Sequence, residues 1–476
     1  MKIPEQIRAR LITTGPIILG LTMLMVIPAW PQADDTPSQQ PAPASVGVDN
    51  SQAPDNSNNN GNGGGDDRMQ TPPPVSGQAY PIAFTSEERS NYLRAGVVFT
   101  GAYSDNALAA LESHPVSDIS YSVAPIVALD ESTARQHLTL TYAPGFTFYQ
   151  RTSSLNGADQ TASIDFDYRL SPHVTFSARD DFQKSSSLFN QPNLTSTGGV
   201  SGGAVGANSS VIAPLADLLV NSGSVGLTYQ FSLNDMIGAS GSFSYLHYPN
   251  PAQVPGLSDS NSQAGLAFYS HRISRMHYLG LTYQYQRLLS YPTAGQNETQ
   301  THAALVFYTV YPTSRFSISF FGGSQHLDTV QPFPLLPLRQ WTPEGGASLS
   351  WQGRLNSFAV DYLHVVSGGG GLVGAAQVDG ATASLRQQIT KTLSGSAAGG
   401  YTRNNVLGAP VAGVTNGHSI SATASLQQPL GQHVTLQLGY TRLHQSYSNV
   451  AVFAANPDTN REFVSLSYQF VRPLGR

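Results

Sequence analysis

From about residue 92 onward the chain repeats one pattern: about ten residues alternating apolar and small polar, then a turn, then the same again. The clearest unit is Leu279-Gly-Leu-Thr-Tyr-Gln-Tyr-Gln286. Leu279, Leu281, Tyr283 and Tyr285 share one face, and Gly280, Thr282, Gln284 and Gln286 share the other. Successive side chains of a strand point to opposite faces, so each such segment has an apolar and a polar side. A long unbroken series of two-faced strands predicts a closed barrel with its apolar face outward in lipid, since closure leaves no unpaired edge in hydrocarbon.

Strand starts are predicted near Tyr92, Asp118, Gln136, Gln160, Val174, Ser222, Met236, Ser262, Met276, Thr299, Arg315, Gly345, Ser357, Val378, Leu393, Gly417, His433 and Arg461. The fold class is therefore all-β, a transmembrane antiparallel up-and-down barrel of about 18 strands, with 16 as the alternative. An even count puts both ends of the barrel on the same side, the periplasm. Short turns at Ser171-Pro-His173, Leu233-Asn-Asp235, Ser274-Arg275 and Pro429-Leu-Gly-Gln432 alternate with longer Gly-, Ser-, Asn- and Pro-rich loops. The last strand alternates Val464, Leu466, Tyr468 and Phe470 with Ser465, Ser467 and Gln469.

The region before the barrel divides in two. Residues 1–33 read as a signal peptide, with Lys2, Arg8 and Arg10 ahead of a mostly apolar stretch and small residues at Ala29 and Ala33 for cleavage. Residues 34–90 are rich in Pro, Asn and Gly, as in Ser57-Asn-Asn-Asn-Gly-Asn-Gly-Gly-Gly65. Such a tract buries too little apolar surface to offset its ordering entropy and is expected to be a disordered periplasmic leader. Residues 91–476 are the barrel.

Only 11% of residues are charged, against 22 Tyr and 20 Phe. Soluble domains carry roughly 25% charged residues. A polar interior, an apolar exterior and aromatic girdles account for the difference. The chain has no Cys, which excludes disulfides and thiol chemistry, and a net charge of −5, which gives no footprint for nucleic acid. The pattern over about residues 90–476 resembles an outer-membrane β-barrel of the porin-like class and no single named family. That resemblance implies an outer-membrane location, contact with outer-membrane lipid and the barrel-assembly machinery, and passage of small hydrophilic solutes. Similar barrels with Pro- and Asn-rich leaders include some associated with exopolysaccharide export. The alternative function is therefore a component of a polysaccharide or envelope export system, its leader meeting a periplasmic partner.

Strand phase assigns the lumen. Ile164, Phe166, Tyr168 and Leu170 face out, leaving Asp165, Asp167 and Arg169 inward. Val174, Phe176 and Ala178 face out in the next strand, leaving Arg179 and Asp181 inward, so acid and base are expected to meet across this hairpin. Asp361 and Arg386 are further charged candidates, and Thr228, Gln230, Thr282 and Gln284 are neutral ones. Charges complete a solvated wall or set a transverse field at a constriction. Tyr and Phe in phase with Leu and Val are read as lipid girdle. The longest loop, about Ser185 to Asn221, contains the apolar run Val211-Ile-Ala-Pro-Leu-Ala-Asp-Leu-Leu-Val220. A short helix after Pro214 would narrow the mouth, with Val211, Leu215, Asp217 and Leu218 as constriction residues; capping the rim or meeting a neighbouring subunit is the alternative.

The 12 histidines scatter, and none lies in a recognisable Gly-x-Ser-x-Gly or His-Glu-x-x-His setting. Gly-rich runs such as Gly368-Gly-Gly-Gly371 lack a following Lys-Ser/Thr, no EF-hand loop or zinc-ligand spacing is present, and Asp180 and Asp181 point to opposite faces of a strand. An outer-membrane hydrolase is the least favoured reading. No enzyme activity, metal or cofactor is expected.

Overall fold

The computed structural model describes residues 91–109, 115–185, 189, 217–250, 258–292, 295–313, 315–330, 337–369, 373–407, 416–447 and 458–474. Residues 1–90, where the signal peptide and the leader are expected, lie outside the described residues.

Eighteen strands form one sheet. They are β1 (Tyr92–Ser104), β2 (Asp118–Ser132), β3 (Gln136–Tyr149), β4 (Gly157–Ser171), β5 (Val174–Ser185), β6 (Leu218–Gln230), β7 (Asp235–His247), β8 (Ser260–Ser274) and β9 (His277–Ser290). The second half comprises β10 (Asn297–Thr313), β11 (Phe316–Val330), β12 (Leu338–Gln352), β13 (Asn356–Gly369), β14 (Val373–Gln388), β15 (Ser394–Val406), β16 (Asn416–Pro429), β17 (Val434–Tyr447) and β18 (Asp458–Pro473). Each strand pairs antiparallel with its chain neighbour, and β1 pairs with β18 from Tyr92↔Pro473 to Ser104↔Arg461. The sheet is closed, so no strand edge faces lipid along its whole length. The count of eighteen, rather than sixteen, is the one the sequence favoured.

Closure puts one face of every strand outside. Large exposed side chains trace that face around the barrel, among them Phe99, Tyr121, Tyr142, Ile164, Leu227, Ile237, Leu281, Val306, Phe320, Val360, Leu385, Tyr401, Leu438 and Leu466. A soluble protein cannot expose so much apolar surface in one belt; acyl chains cover it here. Tight connections such as Pro172-His173 mark one end, here the turn end. The long connections mark the opposite, loop end.

At the loop end the outer face turns ionic. His364, Asp379, Arg403 and His418 are successive cross-strand partners on β13 to β16. His364 Nδ1 lies 2.6 Å from Asp379 Oδ1. The His418 and His444 rings are 5.7 Å apart, and Arg442 pairs with Asp458 at 3.0 Å. His302, His326 and Trp341 form a second such row. Charges of this kind are costly in hydrocarbon, so these rows mark where acyl chains give way to headgroups.

One outward charge lies well below that boundary. Asp180 sits in mid-strand on β5 between Phe176 and Phe182, with Ile164 and Gly223 as cross-strand neighbours. The Asn221 amide donates to it at 3.3 Å. It edges an outer-face groove of about 430 Å³ lined by Leu129, Leu140, Tyr142 and Phe182. A carboxylate facing the lipid band costs stability. Asp180→Val is therefore expected to raise the stability of the barrel in lipid vesicles by about 1–2 kcal/mol, read from urea unfolding. An unchanged or lowered midpoint would show that Asp180 has a partner in the membrane.

Three strands begin well ahead of their predicted starts: β6, β12 and, at Val373 rather than Val378, β14. Strand β6 begins at Leu218, so Leu218 is a strand residue and not part of a loop helix. Strand β12 begins at Leu338, not at Gly345. Its first half contains Pro343, which the alternation pattern reads as a break. A mid-strand proline is tolerated where one flank of the strand is unpaired, and β12 has such a flank. Its pairing with β13 runs only from Gln352↔Ser357 to Gly345↔His364, and stops there.

Candidate functional site

The inner face of the barrel is the candidate site, and strand phase together with cross-strand register builds it. Every lumen residue proposed from sequence phase lies on this face. Asp165 pairs with Arg179, Asp167 with Ser177, Arg169 with Thr175, and Asp181 with Ser163. Thr228 pairs with Thr175, and Thr282 with Phe268 and Leu305. Gln230 pairs with Met236, Gln284 with Leu266 and Ala303, Asp361 with Ser348, and Arg386 with Ser357.

The charges cluster on β1 to β5. Arg94 lies 3.8 Å from Asp130, and Asp130 lies 3.4 Å from His137. His137 is the cross-strand partner of Asp167. Arg179 binds Asp181 on its own strand, Nε to Oδ2 at 2.7 Å. That ion pair is a difference from the expected one across the hairpin to Asp165. Residues two apart on a strand point the same way, and here the guanidinium lies along its own strand. Asp165, Arg179 and Ser224 are exposed to solvent although they face inward in a closed wall. The lumen beside β4 to β6 is therefore accessible to solvent.

The wall around β10 is packed. On β10 the inner residues Thr299, Thr301, Ala303, Leu305, Phe307 and Thr309 are all essentially without solvent access. Near the turn end Met236, Leu266, Phe268 and Tyr278 form an apolar cluster with Tyr311 against it. Inward aromatics lie over glycines of the neighbouring strand, as Phe268 does over Gly238, Phe307 over Gly280, Phe321 over Gly346 and Phe463 over Gly439. Lumen aromatics are not expected from the sequence, which assigns to the lipid girdle only Tyr and Phe in phase with Leu and Val. Their signal was a glycine directly opposite each ring, which only the register reveals.

The loop end is narrowed by the wall itself. Above the Gly345↔His364 pair, β13 and β14 leave β12 and approach β9 and β10, strands from which β11 and β12 separate them in the sheet. Leu363, Val365, Val366, Ser367, Ala375, Ala376 and Val378 are buried there, without the alternation of a wall strand. Val366 and Ala375 join Leu288, Leu327 and Leu407 in one apolar cluster, with Leu338 packed against it. The observed narrowing is thus the β13–β14 hairpin. Of the expected constriction residues, Val211 and Leu215 lie outside the described residues. Leu218 is buried at the start of β6. Asp217 just precedes that strand and accepts a hydrogen bond from the Asn250 amide at 3.3 Å.

Directly below the apolar cluster, the inner face of β9 to β12 carries buried polar atoms without partners. They are Thr282 Oγ1, Gln284 Oε1, Gln325 Oε1, Thr342 Oγ1 and Glu344 Oε2. Sequence phase missed Glu344, because Pro343 and Gly345 hid its strand. Among the described residues, no set of three or more His, Asp or Glu side chains is placed to hold a metal ion.

Fold and lumen together define a transmembrane β-barrel of the outer-membrane type with a hydrophilic, partly filled interior. No protein-family model and no curated protein matches the sequence. Solved structures with the same kind of architecture include the outer membrane protein OpdK from Pseudomonas aeruginosa. It is 11% identical over 80% of this chain and 99% of that one, at a TM-score of 0.37. Acinetobacter baumannii OccAB4 is 9% identical over 81% and 99%, at 0.40. The ferric citrate transporter FecA is 9% identical over 78% and 62%, at 0.39. These likenesses are of strand architecture alone.

Proposed function

We propose that the chain is an outer-membrane channel for the passive passage of small hydrophilic solutes. The observation that carries this reading is the solvent exposure of Asp165, Arg179 and Ser224 inside a closed wall whose outer face is apolar. A barrel of about sixteen to eighteen strands is wide enough for an aqueous path unless something fills it. Here β9 to β11 fill one side, and β4 to β6 leave the other wet. Acids and bases facing each other along β1 to β5 set a transverse field that orients polar solutes. Neutral Thr, Ser and Gln elsewhere on the wall offer hydrogen bonds without strong charge selection. The lumen residues Asp165, Asp167, Arg169, Arg179, Asp181, Thr228, Gln230, Asp361 and Arg386 line this path. The barrel-assembly machinery inserts the chain, and a periplasmic partner meets it through residues 34–90.

Refolded protein in planar bilayers is expected to give discrete, ohmic conductance steps. Neutralising Arg179 and Asp181 together is expected to change cation-over-anion selectivity without abolishing the steps. A correctly folded barrel that never conducts would refute the channel reading.

A further inference from the structure

The packed side of the lumen holds a carboxylate that the solvent-accessible side does not explain. Glu344 faces inward from β12, is 4% exposed, and has no hydrogen-bond partner for Oε2. It sits one residue from the point where β13 leaves the wall. Its row across the sheet runs Thr282, Leu305, Gly323, Glu344 on β9 to β12. The adjacent row toward the loop end runs Gln284, Ala303, Gln325, Thr342. The free oxygens of Thr282, Gln284, Gln325, Thr342 and Glu344 thus occupy two neighbouring rows on four strands, all buried.

The chemistry of this patch is one-sided. Its free atoms are a carboxylate oxygen, two amide oxygens and two hydroxyl oxygens. Among the described residues no Lys or Arg lies on the inner face of β9 to β12. Arg287 and Arg339 of these strands point outward, to Glu298 at 2.8 Å and Asp328 at 3.0 Å. A buried carboxylate without a cation is costly, and so is each buried acceptor without a donor. Above the patch lies the apolar cluster of Leu288, Leu327 and Val366, which keeps water from that side. The β13–β14 hairpin, with Leu363, Val365 and Val378 buried, faces it across the barrel. Small Gly323 between Leu305 and Glu344 leaves the row without a side chain next to the carboxylate.

We propose that Glu344, Gln325, Thr342, Gln284 and Thr282 form a solute subsite for an organic cation bearing a primary ammonium or guanidinium group. Such a head supplies several N–H donors and the missing positive charge at once. The carboxylate takes the charge, the amide and hydroxyl oxygens take the remaining N–H groups, and the apolar cluster receives the alkyl stem. The subsite deepens the channel reading by naming the solute class that pauses in the lumen.

The test measures agmatine binding to the full-length refolded barrel in detergent by titration calorimetry, with glucose, sodium and calcium as comparison ligands. Wild type is expected to bind agmatine at one saturable site. Glu344→Gln is expected to weaken it by about thirtyfold or more, the effect of removing one partner of a buried charge pair. Gln325→Leu, which leaves the carboxylate in place, is expected to weaken it less. Unchanged strand content by circular dichroism shows that each variant is folded. Equal affinity in wild type and Glu344→Gln, no saturable agmatine binding, or preference for glucose or calcium would each overturn the subsite. Agmatine binding by a barrel that does not conduct would remove the channel reading and keep the subsite. Conductance without agmatine binding would do the reverse.

Discussion

Gly323→Ala is expected to cost the barrel about 3 kcal/mol or more, the upper range for overpacking. A Cβ at this position would lie 2.0 Å from the Ala304 carbonyl oxygen and 3.0 Å from the Leu305 Cα. Both are backbone atoms of the neighbouring strand, so no side chain can swing aside. Relief requires β10 and β11 to move apart, and their ladder runs unbroken through this point from Glu298↔Val330 to Val310↔Ile318. Gly265→Ala is the matched control, since a Cβ there meets nothing within 4 Å, and it should stay within about 0.5 kcal/mol of wild type. Gly439→Ala belongs between them: the three atoms nearest its Cβ all belong to the Phe463 ring, the first 2.2 Å away, and the ring can rotate into the lumen. Urea unfolding in lipid vesicles ranks the three. Equal midpoints for Gly323→Ala and Gly265→Ala would show that the strands are not held as closely as described.

Val366→Asp is expected to open the loop end and raise single-channel conductance by about twofold or more, because the narrowing element among the described residues is part of the wall. Val366 packs with Leu288, Leu327, Ala375 and Leu407. A carboxylate there would be desolvated with no partner, at a cost of several kcal/mol, unless the hairpin moves out to water. Movement is cheap on one flank, since β13 has no pairing to β12 beyond Gly345↔His364. The absence of Cys in the chain makes a converse variant clean. Leu288→Cys with Val366→Cys, once oxidised, should hold conductance at or below the wild-type level, and reduction should release it. Wild-type conductance from a folded Val366→Asp barrel would mean that the hairpin does not limit flow.

Much of this architecture is legible in the sequence because a strand's period of two needs no tertiary information. Asp165 and Ile164 must face opposite ways in any strand, and lipid outside fixes which face is which. That is why the inner-face set from Asp165 to Arg386 was assigned by phase alone. The reading weakened where composition masks the period. Pro343 and Glu344 look like a loop, although an unpaired flank of β12 tolerates both. The apolar run after Pro214 drew attention as a constriction, while the apolar hairpin ends around Val366 and Ala375 passed as ordinary strand.

Alternation along the chain determined the class of fold, the number of strands, and which side chains meet water and which meet acyl chains. Those are local properties, set by one residue and the next. Tertiary structure decided which walls touch across the interior. It brought the β13–β14 hairpin to β9, laid Phe307 over Gly280, and left Glu344 with no Lys or Arg on the inner face of β9 to β12 among the described residues. These depend on register between strands and on where a ladder stops, and no single strand carries that information.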